Sequence, residues 1–240
     1  MRRPVVSITS ALLVLLGAQL LGAVWAGLVL GVRYAGTELP DPLPMPTQVL
    51  ATVGLWVGYG LGPLLALRAT EPPRQVGGAG LAARLRAWFG GVRATDLAVG
   101  AVVGVAAQLV VIPVLYWPLV RLFDIDPGES ARRMADSADG VAPIVLFALA
   151  VVVVAPVVEE LAFRWTLTRA LAAAWGPVAA TSASALLFAL VHRDPTVMPG
   201  LFVFAVALAV LTLRTDRLAP AVFAHAAFNA TTVVLVTLAR

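Results

Sequence analysis

Apolar residues fill this chain in long runs separated by short polar connections, and the lengths of the runs decide the architecture. Seven runs stand out, roughly Val5–Val32, Gln48–Leu67, Leu97–Val120, Val141–Leu171, Pro177–His192, Val197–Leu213 and Leu218–Leu238. A helix crossing the hydrocarbon core of a bilayer needs about 20 residues, with a range of about 17–25. The fifth run is short and the fourth long, and Trp175-Gly176-Pro177 between them is a helix stop and restart. The pattern predicts an all-α, polytopic membrane bundle of about seven transmembrane helices. The fourth and fifth helices should form an antiparallel hairpin. No internal repeat and no soluble domain is visible.

Composition supports the membrane reading. Of 240 residues, 60% are hydrophobic and 12% charged, and the mean hydropathy is +0.93; soluble domains carry about 25% charged residues. The net charge of +4 and pI near 10.6 would suit nucleic acid, but the basic residues are all Arg and sit mostly between apolar runs, so no nucleic-acid partner is expected. Arg2 and Arg3 precede the first run, and Arg68, Arg74, Arg84, Arg86 and Arg93 crowd the second connection. The first and third connections are acidic on balance. Arg164 and Arg169 before the fourth turn, and Arg214 and Arg217 at the sixth, follow the same alternation. This places the N-terminus in the cytoplasm of a cell whose plasma membrane the chain spans. The first run is too long for a signal h-region of about 7–15 residues and reads as a retained helix. Cysteine is absent, which excludes disulfides, thiolate metal sites and cysteine nucleophiles. Asp41-Pro-Leu-Pro-Met-Pro46 reads as a stiff external loop. Leu81–Phe89 reads either as an amphipathic helix on the lipid surface or as a solvated linker.

Polar side chains inside the late runs carry the candidate chemistry. The chain has two histidines, and both lie in apolar sequence: Phe188-Ala-Leu-Val-His192 and His225-Ala-Ala-Phe-Asn229. A third interruption reads Glu159-Glu160-Leu-Ala-Phe-Arg164. Charged residues at the centre of a membrane helix cost roughly 2.5–3.5 kcal/mol on insertion scales and default to a functional reading. Counting from the Gly176 turn, Glu159 and His192 both lie roughly 22–25 Å away, at matching depth. His225 lies only about 12 Å from the Arg214–Arg217 turn. Unequal loop depths or tilted helices are therefore needed before three spans can converge. Residues four apart share a helix face, so Glu160 and Arg164 can pair. Glu159, rotated about 100° away, is the carboxylate left to face the bundle interior. His225 and Asn229 share a face, and Asn229 could hold an oxyanion or orient a water. Phe188 and Phe228 read as packing.

The motifs Glu-Glu-x-x-x-Arg, Phe-x-x-x-His and His-x-x-x-Asn, in that order on late helices, resemble those of the CPBP family. This family comprises the CAAX prenyl endopeptidases and their bacterial relatives, the Abi-type intramembrane proteases. The matching positions are Glu159, Glu160 and Arg164, then Phe188 and His192, then His225 and Asn229. The resemblance covers a CPBP-like catalytic core over residues 141–240; residues 1–140 carry N-terminal helices and a basic cytoplasmic loop. It implies peptide-bond hydrolysis within the membrane, with Glu159 as the base that activates water and His192 assisting. His225 with Asn229 would bind the developing oxyanion or a metal, and Glu160 and Arg164 would support the site. Two His and one Glu match a catalytic zinc set with an open position, which would make Glu159, His192 and His225 ligands of a divalent metal such as Zn2+. The sequence lacks His-Glu-x-x-His, and a metal-free glutamate mechanism stays open.

Other chemistries fare worse. Ser182 and Ser184 lie too far along their helix from His192 for a nucleophile–base contact. No Gly-x-Ser-x-Gly, P-loop or dinucleotide fingerprint occurs. Carboxylate and histidine chains also serve proton relays, so the alternative is a transporter or a non-catalytic immunity or scaffold protein. Transporters usually show repeated halves. The Ala/Val/Gly/Arg-rich composition suggests a bacterial host, which disfavours a prenylated substrate. The expected partners are the lipid bilayer and a peptide or small membrane protein as substrate.

Overall fold

The computed structural model describes residues 6–70 and 91–238. The segment Leu81–Phe89 and the arginines at 2, 3, 74, 84 and 86 lie outside the described residues. The helices are α1 (Ile8–Arg33), α2 (Met45–Thr70), α3 (Ala94–Phe123), α4 (Glu129–Asp136), α5 (residues 141–175), α6 (residues 177–191), α7 (Met198–Thr215) and α8 (Ala219–Leu238). Six helices among the described residues are long and apolar enough to cross a membrane. The longest, Val141–Val191, contains the non-helical Gly176, which separates α5 from α6. Counting its two arms separately recovers the seven predicted spans. The bundle is apolar outside, and its mostly apolar core encloses a few polar side chains: Leu20 is 68% exposed and Val102 68%, while Glu160, Thr168 and Thr212 are 0% exposed. This is the arrangement lipid demands, since unpaired polar groups cannot face hydrocarbon. The short helix α4 in the third connection was not predicted, because eight mostly polar residues give no span signal.

Gly176 makes the hairpin. Its φ of 79° is open to glycine at no steric cost, and Pro177 restarts the helix. The two arms are then in mirror register about Gly176. Thr168 Oγ1 hydrogen-bonds Ser184 Oγ at 2.9 Å, and the Arg164 guanidinium lies 4.2 Å above the Phe188 ring. Each pair is equidistant from residue 176 in sequence. The same register sets His192 at the level of Glu159 and Glu160, the matching depth expected for Glu159 from the turn arithmetic.

The depth mismatch at His225 is resolved by the turn between α7 and α8. This turn does not lie level with Gly176. Asp216, at φ 51°, pairs with Arg169 part-way up α5. From that shared level, Glu160 and His225 are each nine residues further along their helices, roughly 13 Å at 1.5 Å per residue. The sixth turn is thus the deeper one, and three spans converge on one cavity.

Close backbone approach holds the remaining helices. On α2, a Cβ at Gly58 would lie 2.5 Å from the Ala18 Cα of α1. On α3, a Cβ at Gly104 would lie 2.2 Å from the Ala224 carbonyl oxygen of α8. Gly100 and Gly104 form the small-xxx-small pattern that lets membrane helices touch. At the foot of this pair Asp96, 1% exposed, accepts from the Arg93 backbone N–H at 3.0 Å and from Arg217 Nη1 at 2.8 Å. Arg217 Nη2 completes the bidentate pair. Gly104→Ala must push α8 away at the residue next to His225. We expect it to cost about 1–3 kcal/mol of stability, read as a lowered Tm in detergent, while Gly27→Ala, whose Cβ meets nothing within 4 Å, should leave Tm unchanged.

Candidate active site

Between the helices lies a cavity of about 630 Å³, lined among others by Tyr59, Glu159, His192, His225 and Asn229. Pockets for small ligands span about 300–1,000 Å³. All four residues expected to be catalytic therefore face one space, although they contact one another to different degrees. On α5, the Phe147, Val151, Ala155 and Glu159 positions all line the cavity, and on α8 His225, Asn229 and Thr232 do.

Glu160 and Glu159 diverge, as their rotation on the helix demands. The Glu160 side chain is fully buried, and its Oε1 lies 3.2 Å from Arg164 Nη1 and 2.9 Å from His225 Nδ1. Arg164, read from sequence both as a topology marker and as a partner of Glu160, is 1% exposed and belongs to the core. The Glu159 side chain keeps 13% of its surface accessible, and its Oε2 stands 3.9 Å from His225 Nε2. The two glutamates thus reach the two nitrogens of one imidazole. Because a carboxylate only accepts, His225 Nδ1 donates to Glu160, and Nε2 is left for the cavity. The ring is clamped edge-on by Phe188 at 5.9 Å and Phe204 at 5.8 Å. Phe204, stacked on Phe228 at 4.1 Å, was not picked out from sequence, since one Phe among apolar residues carries no pattern.

His192 is placed differently. It is the exposed C-cap of α6, and its Nδ1 donates to the Phe188 carbonyl at 2.7 Å. Its ring lies 4.7 Å from that of Phe188. Depth arithmetic favoured His192 over His225, whereas the closer contacts to the glutamates belong to His225. Phe188, 0% exposed, touches Arg164, His192 and His225 together, so its packing orients the whole site. Asn229 spends one amide hydrogen on the Val151 carbonyl at 2.7 Å; the second hydrogen and Oδ1 remain.

Two π-helical stretches in α5, residues 150–154 and 161–168, bracket the glutamates. Within the second, Thr166 Oγ1 and Thr168 Oγ1 donate to carbonyls five residues back, Leu161 and Phe163, at 2.8 and 2.9 Å. The widened turns leave backbone groups for side chains to satisfy, and Asn229 serves Val151 in the first of them. A period of 3.6 cannot reveal such turns in advance.

The third connection contributes to the lining of the cavity. Pro127, Ser130, Ala131 and Met134 line it. Ser130 Oγ donates to Asp194 Oδ2 at 2.6 Å, and Arg133 pairs with Asp41 at 2.9 Å. Burial pushes the Asp194 carboxyl up, but hydrogen bonds from Ser130, Thr196 and the Val197 backbone outweigh it and hold it below the ordinary carboxylate value. A depressed carboxyl contributes stability that is complete above the unfolded value of about 3.9 and is lost as pH falls through the lower folded value. Hydrogen exchange of residues 129–136 should therefore be slow at pH 5 and accelerate below about pH 4. In Asp194→Asn this acid step should vanish.

These features define a polytopic helical membrane protein with a carboxylate–imidazole site sunk in its bundle. Residues 141–231 match the family model described as Rce1-like, type II CAAX prenyl endopeptidase Rce1-like. The match begins where α5 begins and contains every candidate residue named above. It bears out the CPBP resemblance over that stretch and points to an intramembrane endopeptidase of CAAX-protease type. No curated protein and no solved structure matches the chain.

Proposed function

We propose that this protein hydrolyses peptide bonds of membrane-associated peptides or small membrane proteins, with Glu159 as the general base. The observation that carries the reading is the 3.9 Å gap between Glu159 Oε2 and His225 Nε2, with the far side of the same imidazole anchored on buried Glu160 at 2.9 Å. The gap is too long for a direct hydrogen bond and suits one water held by both groups. Glu159 takes a proton from that water as its oxygen attacks the scissile carbonyl carbon. The carbonyl oxygen becomes an oxyanion, for which the second Asn229 amide hydrogen is a donor, with the His225 Nε2 edge facing the same space. The C–N bond then breaks, and Glu159 returns its proton to the departing amine nitrogen. His192, with Nδ1 committed to a carbonyl, offers Nε2 as an acceptor that steadies the water.

A divalent ion would use Glu159, His192 and His225. Among the described residues no group of three His, Asp or Glu side chains stands close enough to hold one, so no step above runs through a metal. The proposed setting is the plasma membrane with a cytoplasmic N-terminus, on the strength of the arginine bias.

The test uses full-length protein in proteoliposomes with two quenched fluorescent peptides, one prenylated at a CAAX cysteine and one an unprenylated apolar peptide. Cleavage of either by wild type and its loss in Glu159→Gln is the expected result. Equal cleavage by both proteins, or none by wild type, overturns the reading. Turnover surviving a chelator keeps the metal-free route; loss restored by zinc makes Glu159, His192 and His225 ligands.

A further inference from the structure

Tyr59, on α2 and outside the matched stretch, is a cavity residue whose chemistry the protease reading leaves unexplained. It is 2% exposed and lines the same cavity as Glu159, His192, His225 and Asn229. Its ring packs edge-on against Phe163 at 5.5 Å. Its hydroxyl oxygen accepts from Gln19 Nε2 at 2.7 Å. Gln19 cannot exchange its amide ends, because Arg193 Nη2 donates to its Oε1 at 3.2 Å. Arg193 reaches it from a left-handed backbone at φ 56°, directly after His192.

This chain of donors has a consequence. With Gln19 locked as a donor, the Tyr59 oxygen is an acceptor on that side, and its own hydrogen must go elsewhere. Among the described residues no acceptor for it is found within the protein's hydrogen bonds, and Tyr59 lines the same cavity as the Glu159 carboxylate. A buried O–H with an uncommitted hydrogen, facing a cavity beside the general base, is a donor awaiting an acceptor on a ligand. We propose that Tyr59 is a catalytic residue that donates its hydroxyl hydrogen to the carbonyl oxygen of the scissile bond as negative charge builds there. Gln19 and Arg193 are its positioning residues. The N-terminal helices thereby complete the oxyanion site of the C-terminal core. This rests on the protease reading above.

The test compares Tyr59→Phe, which removes only the hydroxyl and keeps the ring on Phe163, with wild type on whichever of the two quenched peptides wild type cleaves. Loss of one oxyanion donor predicts a fall in kcat of about 10²-fold or more, with KM and Tm nearly unchanged. Gln19→Leu should lower kcat in wild type but cost nothing further in Tyr59→Phe. A Tyr59→Phe kcat equal to wild type overturns the proposal, as does an equal cost of Gln19→Leu in both backgrounds. A measurement that needs no substrate is fluorine NMR of protein carrying 3-fluorotyrosine at position 59. Glu159→Gln and Gln19→Leu should each shift that resonance, and an unmoved signal in both overturns the placement. If Glu159→Gln is inactive while Tyr59→Phe runs at full speed, only the Tyr59 assignment falls. If Glu159→Gln itself is fully active, Glu159 is not the general base, and the mechanism on which this proposal rests falls with it.

Discussion

Glu159→Gln should reduce turnover by about 10²–10⁴-fold, the range that a positioned general base supplies, with Tm close to wild type. The substitution keeps shape and hydrogen-bonding capacity but cannot take a proton from water. Stability should survive because Glu159 is not the carboxylate that neutralises Arg164: that contact, at 3.2 Å, belongs to Glu160. Glu159 keeps 13% of its side chain open to the cavity, whereas the Glu160 side chain has none. The neighbouring Glu160→Gln should show the opposite balance. It removes the negative partner shared by Arg164 and His225, so Tm should fall and activity should fall through misorientation of the imidazole. Parallel measurement of kcat and Tm on the two variants separates base from support. If Glu160→Gln were inactive with unchanged Tm and Glu159→Gln were active, the base would be the Glu160–His225 pair instead.

The span pattern, the hairpin about Gly176 and the pairing of Glu160 with Arg164 were legible from periodicity and turn chemistry, because each depends on spacing within one or two adjacent helices. The depth of His225 was not legible. It depends on Arg169 and Asp216, forty-seven residues apart, setting one turn deeper than another, and no local rule places two loops relative to each other. The relative weight of the histidines followed the same limit: His192 satisfied the hairpin arithmetic, yet His225 made the closer contacts once that turn was placed. Tyr59 and Gln19 escaped notice for another reason. A tyrosine in a membrane helix suits an interfacial anchor as well as a core, and only its contacts with Gln19 and Phe163 show which it is. The Gly100/Gly104 pair was readable in principle as a small-xxx-small pattern, but in a chain with 20 glycines it does not stand out.

Arg164→Met should destabilise the protein by about 3–5 kcal/mol, the cost of stranding one member of a buried ion pair. The physical situation is severe. Arg164 is 1% exposed, and among the described residues neither Glu160 Oε2 nor the Arg164 terminal nitrogens has a hydrogen-bond partner. The pair is held by Coulomb attraction at 3.2 Å and by the guanidinium stacked 4.2 Å from Phe188. When Arg164 is removed, Glu160 keeps only the hydrogen bond from His225 Nδ1 at 2.9 Å. Met fills the space of the aliphatic stem, so the loss should report charge rather than volume. The decisive comparison is the double variant Glu160→Gln/Arg164→Met. Removing both charges together should cost well under the sum of the single changes, because neither leaves an unpaired ion behind. Unfolding in mixed micelles gives the free energies. Strict additivity, or a single Arg164→Met loss below about 1 kcal/mol, would mean that the pair contributes no more than a surface bridge does. The activity of the double variant carries the second half of the argument. A neutral glutamine at 160 can still accept from His225 Nδ1, so a stable but slow double variant would show that the buried charge serves the imidazole as well as the fold.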